Sequence, residues 1–133
     1  MKVVVDTNVL VSGILKQHGS EASVLRLIAD KTLSWCVSAA VIAEYRTVRT
    51  RPKFNFNPAI IDLWMDMAAT GVVVSPSSIV TVSPDEADNR FLECAEAAKA
   101  DFLVTGNKDL LEANVDDIAI ISTGEFARNI LSK

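Results

Sequence analysis

Four acidic residues in this chain have types and positions that could do chemistry together: Asp6, Glu44, Asp88 and Asp109. Three or four carboxylates brought to one place repel one another and raise each other's pKa values. A divalent cation relieves that repulsion, and an all-oxygen donor set favours magnesium or manganese over zinc. Such a cluster suits phosphodiester hydrolysis. One cation lowers the pKa of a water, and a second, about 3.5–4 Å away, stabilises the leaving oxygen. Each acid also has a plain structural use. Asp6 can cap the helix that starts at Thr7-Asn8. Glu44 can be a solvated flank residue, and Asp88 and Asp109 can serve helix dipoles. The chemical reading rests on the set.

The elements that must position these acids are legible from periodicity. Val3–Val5 reads as a strand buried on both faces, and two helices follow it, separated at Gly19-Ser20. Leu33–Val37 is a second strand, with a helix from about Ser38 to Val48. Pro52 and Pro58 bracket a loop, and a helix covers about Pro58–Ala69. Val72–Val74 is a third strand. Ser75–Ser83 reads as a long loop with a short extended piece at Ile79–Val82. Ser83, Pro84 and Glu86 together signal a helix start, with Ser83 as the cap and Glu86 completing a capping box. That helix runs to about Lys99. Asp101–Thr105 is a fourth strand, Asn107–Glu112 a short helix, Ile118–Ile121 a fifth strand, and Ser122–Leu131 a last helix with its own Ser122/Glu125 box. Strands alternating with helices predict an α/β fold of three layers, α/β/α, around a mainly parallel sheet of about five strands. In such a sheet the working crevice forms at the carboxyl ends of the strands, and the four acids all fall on that edge.

Composition is consistent with this. The 133 residues are 50% hydrophobic and 23% charged, enough for one domain, 1–133, with a buried core. No apolar run approaches the roughly 20 residues of a membrane span, so a cytoplasmic protein without a membrane role is expected. The net charge of −4 argues against a broad basic nucleic-acid-binding face. It leaves room for an acidic site that attracts phosphate once it holds metal. Cys36 and Cys94 sit among apolar neighbours and read as buried thiols. With His18 the lone histidine, in an exposed loop, neither structural zinc nor a histidine general base is expected.

The successive segments Val3-Val4-Val5-Asp6-Thr7-Asn8-Val9-Leu10, Ala43-Glu44-Tyr45, Asp88-Asn89-Arg90-Phe91-Leu92 and Val104-Thr105-Gly106-Asn107-Lys108-Asp109-Leu110-Leu111 resemble the ordered motifs of the PIN-domain family. The resemblance runs from Lys2 to about Glu125. It is closest to the bacterial and archaeal branch of toxins from toxin–antitoxin pairs, the VapC-like proteins. It implies a Mg2+- or Mn2+-dependent ribonuclease acting on single-stranded RNA, with Asp6, Glu44, Asp88 and Asp109 as the acidic metal site. It further implies polar support from Thr7, Asn8 and Thr105, a homodimer or higher homo-oligomer, and a small antitoxin protein as partner. One position departs from the branch, which commonly carries Asp where this chain has Asn107. Asn107 could still offer a carbonyl oxygen to the metal, with Asp109 supplying the charge.

For an RNA backbone the chain offers Arg46, Arg49, Arg51 and Lys53, its one basic cluster, together with Lys108. The cluster would equally suit the carboxyl end of its helix. Trp35 and Trp64 fall in apolar patterns and read as core or interface. Ile60, Ile61, Leu63, Trp64 and Met67 give one helix more large apolar groups than a single buried stripe needs, as a self-association surface would. Two other readings stay open. One is a PIN-like protein- or RNA-binding module with a weakened metal site. The other is a magnesium-dependent phosphatase, disfavoured because Asn8 stands where that chemistry wants a second carboxylate. A receiver domain is disfavoured by Ser75-Pro76 at the end of strand three.

Overall fold

The computed structural model describes residues 1–51, 57–113, 115 and 117–131. The Pro52–Pro58 loop reading and Lys53 fall wholly or largely outside these residues.

β1 (Lys2–Val5) occupies the middle of a five-stranded, all-parallel sheet, and its three valines are fully buried. On one side it pairs with β2 (Ser34–Ser38), which pairs with β3 (Val72–Val74). On the other it pairs with β4 (Phe102–Val104), which pairs with β5 (Ile120–Ile121). The strand order is therefore β3-β2-β1-β4-β5. The connections from β1 to β3 step outward in one direction, and the chain then crosses back to β4. Right-handed crossovers consequently put helices on both faces, giving three layers.

Between β1 and β2 lie α1 (Thr7–Leu15) and α2 (Ser20–Ala29). They are separated at Gly19, whose φ of 112° only glycine adopts without strain. α3 (Ala39–Arg46) follows β2 and tightens into a 3-10 turn at Thr47–Thr50. α4 is Pro58–Ala68, started by Asn57 as cap with Pro58 at the first helical position. α5 (Glu86–Ala98) crosses the sheet from β3 to β4. α6 (Lys108–Glu112) and α7 (Thr123–Phe126) complete the helices, and α7 runs on as a π turn over Ala127–Leu131.

Three expectations need correction. α5 is capped by Asp85, whose side chain accepts the Ala87 N–H, so Ser83 is not the cap and Glu86 closes no box with it. Ser83 is instead held by α5 itself: the Asn89 side chain accepts the Ser83 N–H and donates to its carbonyl. Residues Ile79–Val82 form no strand; the Val80 N–H is met by the Glu93 carboxylate at 2.8 Å. Backbone leaving a sheet must find other partners, and the buried Asn89 and Glu93 of α5 supply them. The expected last helix is two kinds of helix rather than one, though its Ser122 cap on the Glu125 N–H is present.

Gly71 closes the α4–β3 turn against β2, where a Cβ would run into the Trp35 carbonyl oxygen. Gly71→Ala is expected to destabilise by about 1–3 kcal/mol, the cost of overpacking against backbone that cannot yield. Urea unfolding measures this as a lower midpoint at unchanged slope.

Candidate functional site

Asp6 leaves the carboxyl end of β1 and is only 4% exposed. Its two carboxylate oxygens do different things. One accepts the Val9 N–H at 2.9 Å, capping α1, and the other accepts the Thr105 hydroxyl from the end of β4. The capping role and a site role coexist. Thr105 in turn accepts the Asn107 N–H at 2.9 Å, so β4, its following loop and β1 are tied together beside the carboxylate.

Asp88, in the first turn of α5, is 5% exposed. It accepts the Ser83 hydroxyl at 2.9 Å, and the Asn107 amide nitrogen lies 3.1 and 3.2 Å from its two oxygens. The orientation of that amide follows from its other end, since the Asn107 oxygen accepts the Asp109 N–H at 2.9 Å, which only an oxygen can do. Asn107 is the cap of α6. This corrects its expected role: it turns its NH2 group, not its oxygen, toward the acids.

Asp6, Thr7, Asn8, Glu44, Asp85, Asp88, Phe91, Asn107 and Arg51 line one cleft at this sheet edge. Asp109 does not line it; it is exposed in the first turn of α6 and reaches the site through its charge, which acts on Asp88. Of the expected basic residues, Arg51 faces the cleft. Arg49 pairs with Asp62 of α4 at 3.3 Å, Arg46 lies beside Ile42 and Met65 on the α3–α4 flank, and Lys108 is 3.9 Å from Glu112. Ser83 and Asn89 are parts of the site that sequence reasoning missed. The available signal was a polar residue, Asn89, preceding Leu92 by three on the buried stripe of α5.

Burial raises the pKa of Asp6 above its ordinary 3.8, and the nearby Asp88 adds to this, against hydrogen bonds from Thr105 and Val9 that lower it. Asp88 is also raised, first by burial, then by Asp85 and Asp109, against the Ser83 hydroxyl and the Asn107 amide. Both folded carboxyls therefore hold protons more tightly than the unfolded chain does. The linked stability is greatest below pH 3.8 and is lost as pH rises through the raised values. In EDTA, the melting temperature of Asp6→Asn relative to wild type is expected to grow as pH rises through that window. Paired thermal melts taken from about pH 4 upward check this.

Among the described residues, no group of three or more His, Cys, Asp or Glu side chains stands close enough together to hold a metal ion. The cleft's carboxylates nonetheless offer oxygen ligands, and two of them, Asp6 and Asp88, are buried, mutually repelling and raised in pKa. That chemistry fits a hard divalent cation; Asp6 and Asp88 would hold it, and Glu44 lines the same cleft without closing a three-carboxylate cluster with them. The thiols take no part, since burial raises Cys36 and pushes Cys94 up to about 12.

A parallel sheet that gathers buried carboxylates at its carboxyl edge, with Asp6 at the end of its central strand, defines a class of α/β site suited to phosphodiester chemistry. The chain belongs to the PIN-domain family, whose profile matches residues 2–109. This places it in a family of nucleases that generally work with divalent metal ions. It is 30% identical over 116 residues to an uncharacterized protein of Methanocaldococcus jannaschii, covering 84% of this chain and 74% of that one. No solved structure matches it. Among the described residues, no helix is long and apolar enough to cross a membrane.

Proposed function

We propose that the protein is a Mg2+- or Mn2+-dependent endoribonuclease cutting single-stranded RNA, and that it serves as the toxin of a toxin–antitoxin pair in the cytoplasm. The observation that carries the nuclease reading is the convergence of buried Asp6 and Asp88 with Glu44 on one cleft. When bound there, a divalent cation supplies an acidified water and neutralises charge on the phosphate. The chain's own residues do the rest. Thr105 and the Val9 N–H hold the Asp6 carboxylate in one direction. Ser83 and Asn107 fix Asp88, and Arg51 at the rim is placed to meet a phosphate. Exposed Ile60 and Leu63 on α4 support the homodimer reading. A small antitoxin segment would then occupy the acidic cleft.

The test is cleavage of a mixed pool of single-stranded RNAs with magnesium, manganese or EDTA, with Glu44→Gln as control. Cleavage that requires metal and is lost in the variant supports the nuclease. If calorimetry detects no Mn2+ binding and no fragments appear, the competing reading of a PIN-like binding module takes its place, favoured by the Asn107 amide that already satisfies Asp88.

A further inference from the structure

Tyr45 follows Glu44 on α3 and by sequence belongs to an apolar helical stripe. It is fully buried, and its hydroxyl is not idle. It donates to the Val5 carbonyl at 2.6 Å and lies 3.3 Å from the Trp35 indole N–H, which donates to it. The partner it has chosen is unusual, because Val5 is a residue of the central strand. On the β4 side, β1 stays paired to its end, Val5 opposite Val104, and the Asp6 N–H donates to the Val104 carbonyl. On the β2 side, the register is Lys2 with Ser34 and Val3 with Trp35, and the two strands part after that. The Val5 carbonyl faces the opening. A buried carbonyl there without a donor would carry the full cost of desolvation; the Tyr45 hydroxyl meets it.

Tyr45 is tied to the three elements that carry Asp6, Glu44 and Asp88. It belongs to the helix that carries Glu44. Through Val5 it holds the residue that precedes Asp6. It packs against Phe91, with ring centroids 5.9 Å apart, on the helix that carries Asp88 and itself lining the cleft. On its far side it packs on Trp35, centroids 5.7 Å apart.

We propose that Tyr45 is the positioning residue of the acidic cleft: its hydroxyl replaces a strand-to-strand hydrogen bond where β1 and β2 part, and so fixes the direction in which Asp6 leaves the sheet relative to Glu44 and Asp88. This rests on the nuclease reading of the cleft for its catalytic consequence, but not for its structural one. The hydroxyl, not the ring, is the working part. Tyr45→Phe keeps the ring against Trp35 and Phe91 and removes only the donor to Val5. Trp35→Phe does the reverse, loosening the packing around the ring while leaving that donor in place.

The experiment compares these two variants with wild type in three measurements. Amide hydrogen exchange on the metal-free protein reads the geometry alone: Tyr45→Phe is expected to speed exchange at Asp6 and Val9 about tenfold, and Trp35→Phe to leave both near wild type. Calorimetric titration with Mn2+ is expected to show about tenfold weaker binding in Tyr45→Phe only. Steady-state cleavage is expected to show a fall in kcat for Tyr45→Phe with KM for RNA nearly unchanged, since the RNA-contacting surface is not altered. The proposal is overturned if exchange at Asp6 and Val9 is the same in Tyr45→Phe and wild type, or if the two variants lose exchange protection and metal affinity in proportion to their loss of melting temperature. Should wild type neither bind Mn2+ nor cleave, the nuclease reading fails while the exchange result still decides the role of Tyr45.

Discussion

With Asp6 replaced by Asn, RNA cleavage is expected to fall about 100- to 1000-fold, the scale on which loss of one preorganised electrostatic contact acts, while the fold becomes no less stable. Both halves of this expectation follow from what surrounds the carboxylate. Asn caps a helix as well as Asp does, so the Val9 N–H keeps an acceptor. The amide that faces Thr105 can donate to the threonine hydroxyl instead of accepting from it. What disappears is a negative charge that is buried, raised in pKa, and repelled by Asp88. Removing such a charge without breaking a hydrogen bond relieves a folding cost. Initial rates on a fluorescent RNA, together with melts in EDTA at roughly neutral pH, above the ordinary carboxylate range, measure the two quantities. An inactive variant that also melts well below wild type would mean that the Asp6 charge stabilises the native cleft rather than burdening it.

Asn107→Asp should move the protein the other way, with Mn2+ binding tightened about tenfold or more, or roughly 1.4 kcal/mol, and the metal-free fold weakened. Aspartate would cap α6 through the Asp109 N–H as asparagine does. It would also turn an oxygen toward Asp88, where an amide NH2 now stands at 3.1 and 3.2 Å. Two carboxylates at that separation cannot both stay ionised without a cation. The melting temperature in EDTA should therefore drop, and the shift produced by saturating Mn2+ should exceed that of wild type. Equal Mn2+ affinities for the two proteins would show that position 107 does not face the cation.

The sequence made these acids visible because their positions follow from topology. A residue that ends a parallel strand, or starts the helix after it, is carried to one edge whatever its side chain does next. Asp6, Glu44 and Asp88 were found this way. Asp109 obeys the same rule but is exposed in the first turn of α6, a side-chain direction that strand order does not encode. Side-chain direction was the harder part. Ser83 and Asp85 are both competent caps two residues apart, and the choice between them was made by Asn89, four residues beyond Asp85, which claims the Ser83 backbone. The basic cluster was read as one surface, but the chain tightens to a 3-10 turn after Arg46, and Asp62 of α4 draws Arg49 aside. Tyr45 was hidden for a different reason: a buried tyrosine on an apolar stripe looks like core until the carbonyl that its hydroxyl meets is known.

The Thr105 hydroxyl and the Asp6 carboxylate are 99 residues apart in the chain, and Asp88 and its Asn107 partner are 19 apart. A growing chain lengthens at about 5–20 residues per second and folds from its N-terminus first. β1 is made well before β4, yet it has one edge bare until β4 emerges, and pairing of such distant segments is intrinsically slow. Until residue 107 clears the ribosome, the carboxylates have no Thr105 or Asn107 to hold them in register, and α5 has only part of its sheet to rest on. Synthesis itself thus delays assembly of the cleft. Ribosome-held chains stopped before Phe102 should be cut readily by added protease, whereas chains released after α6 has formed should resist it.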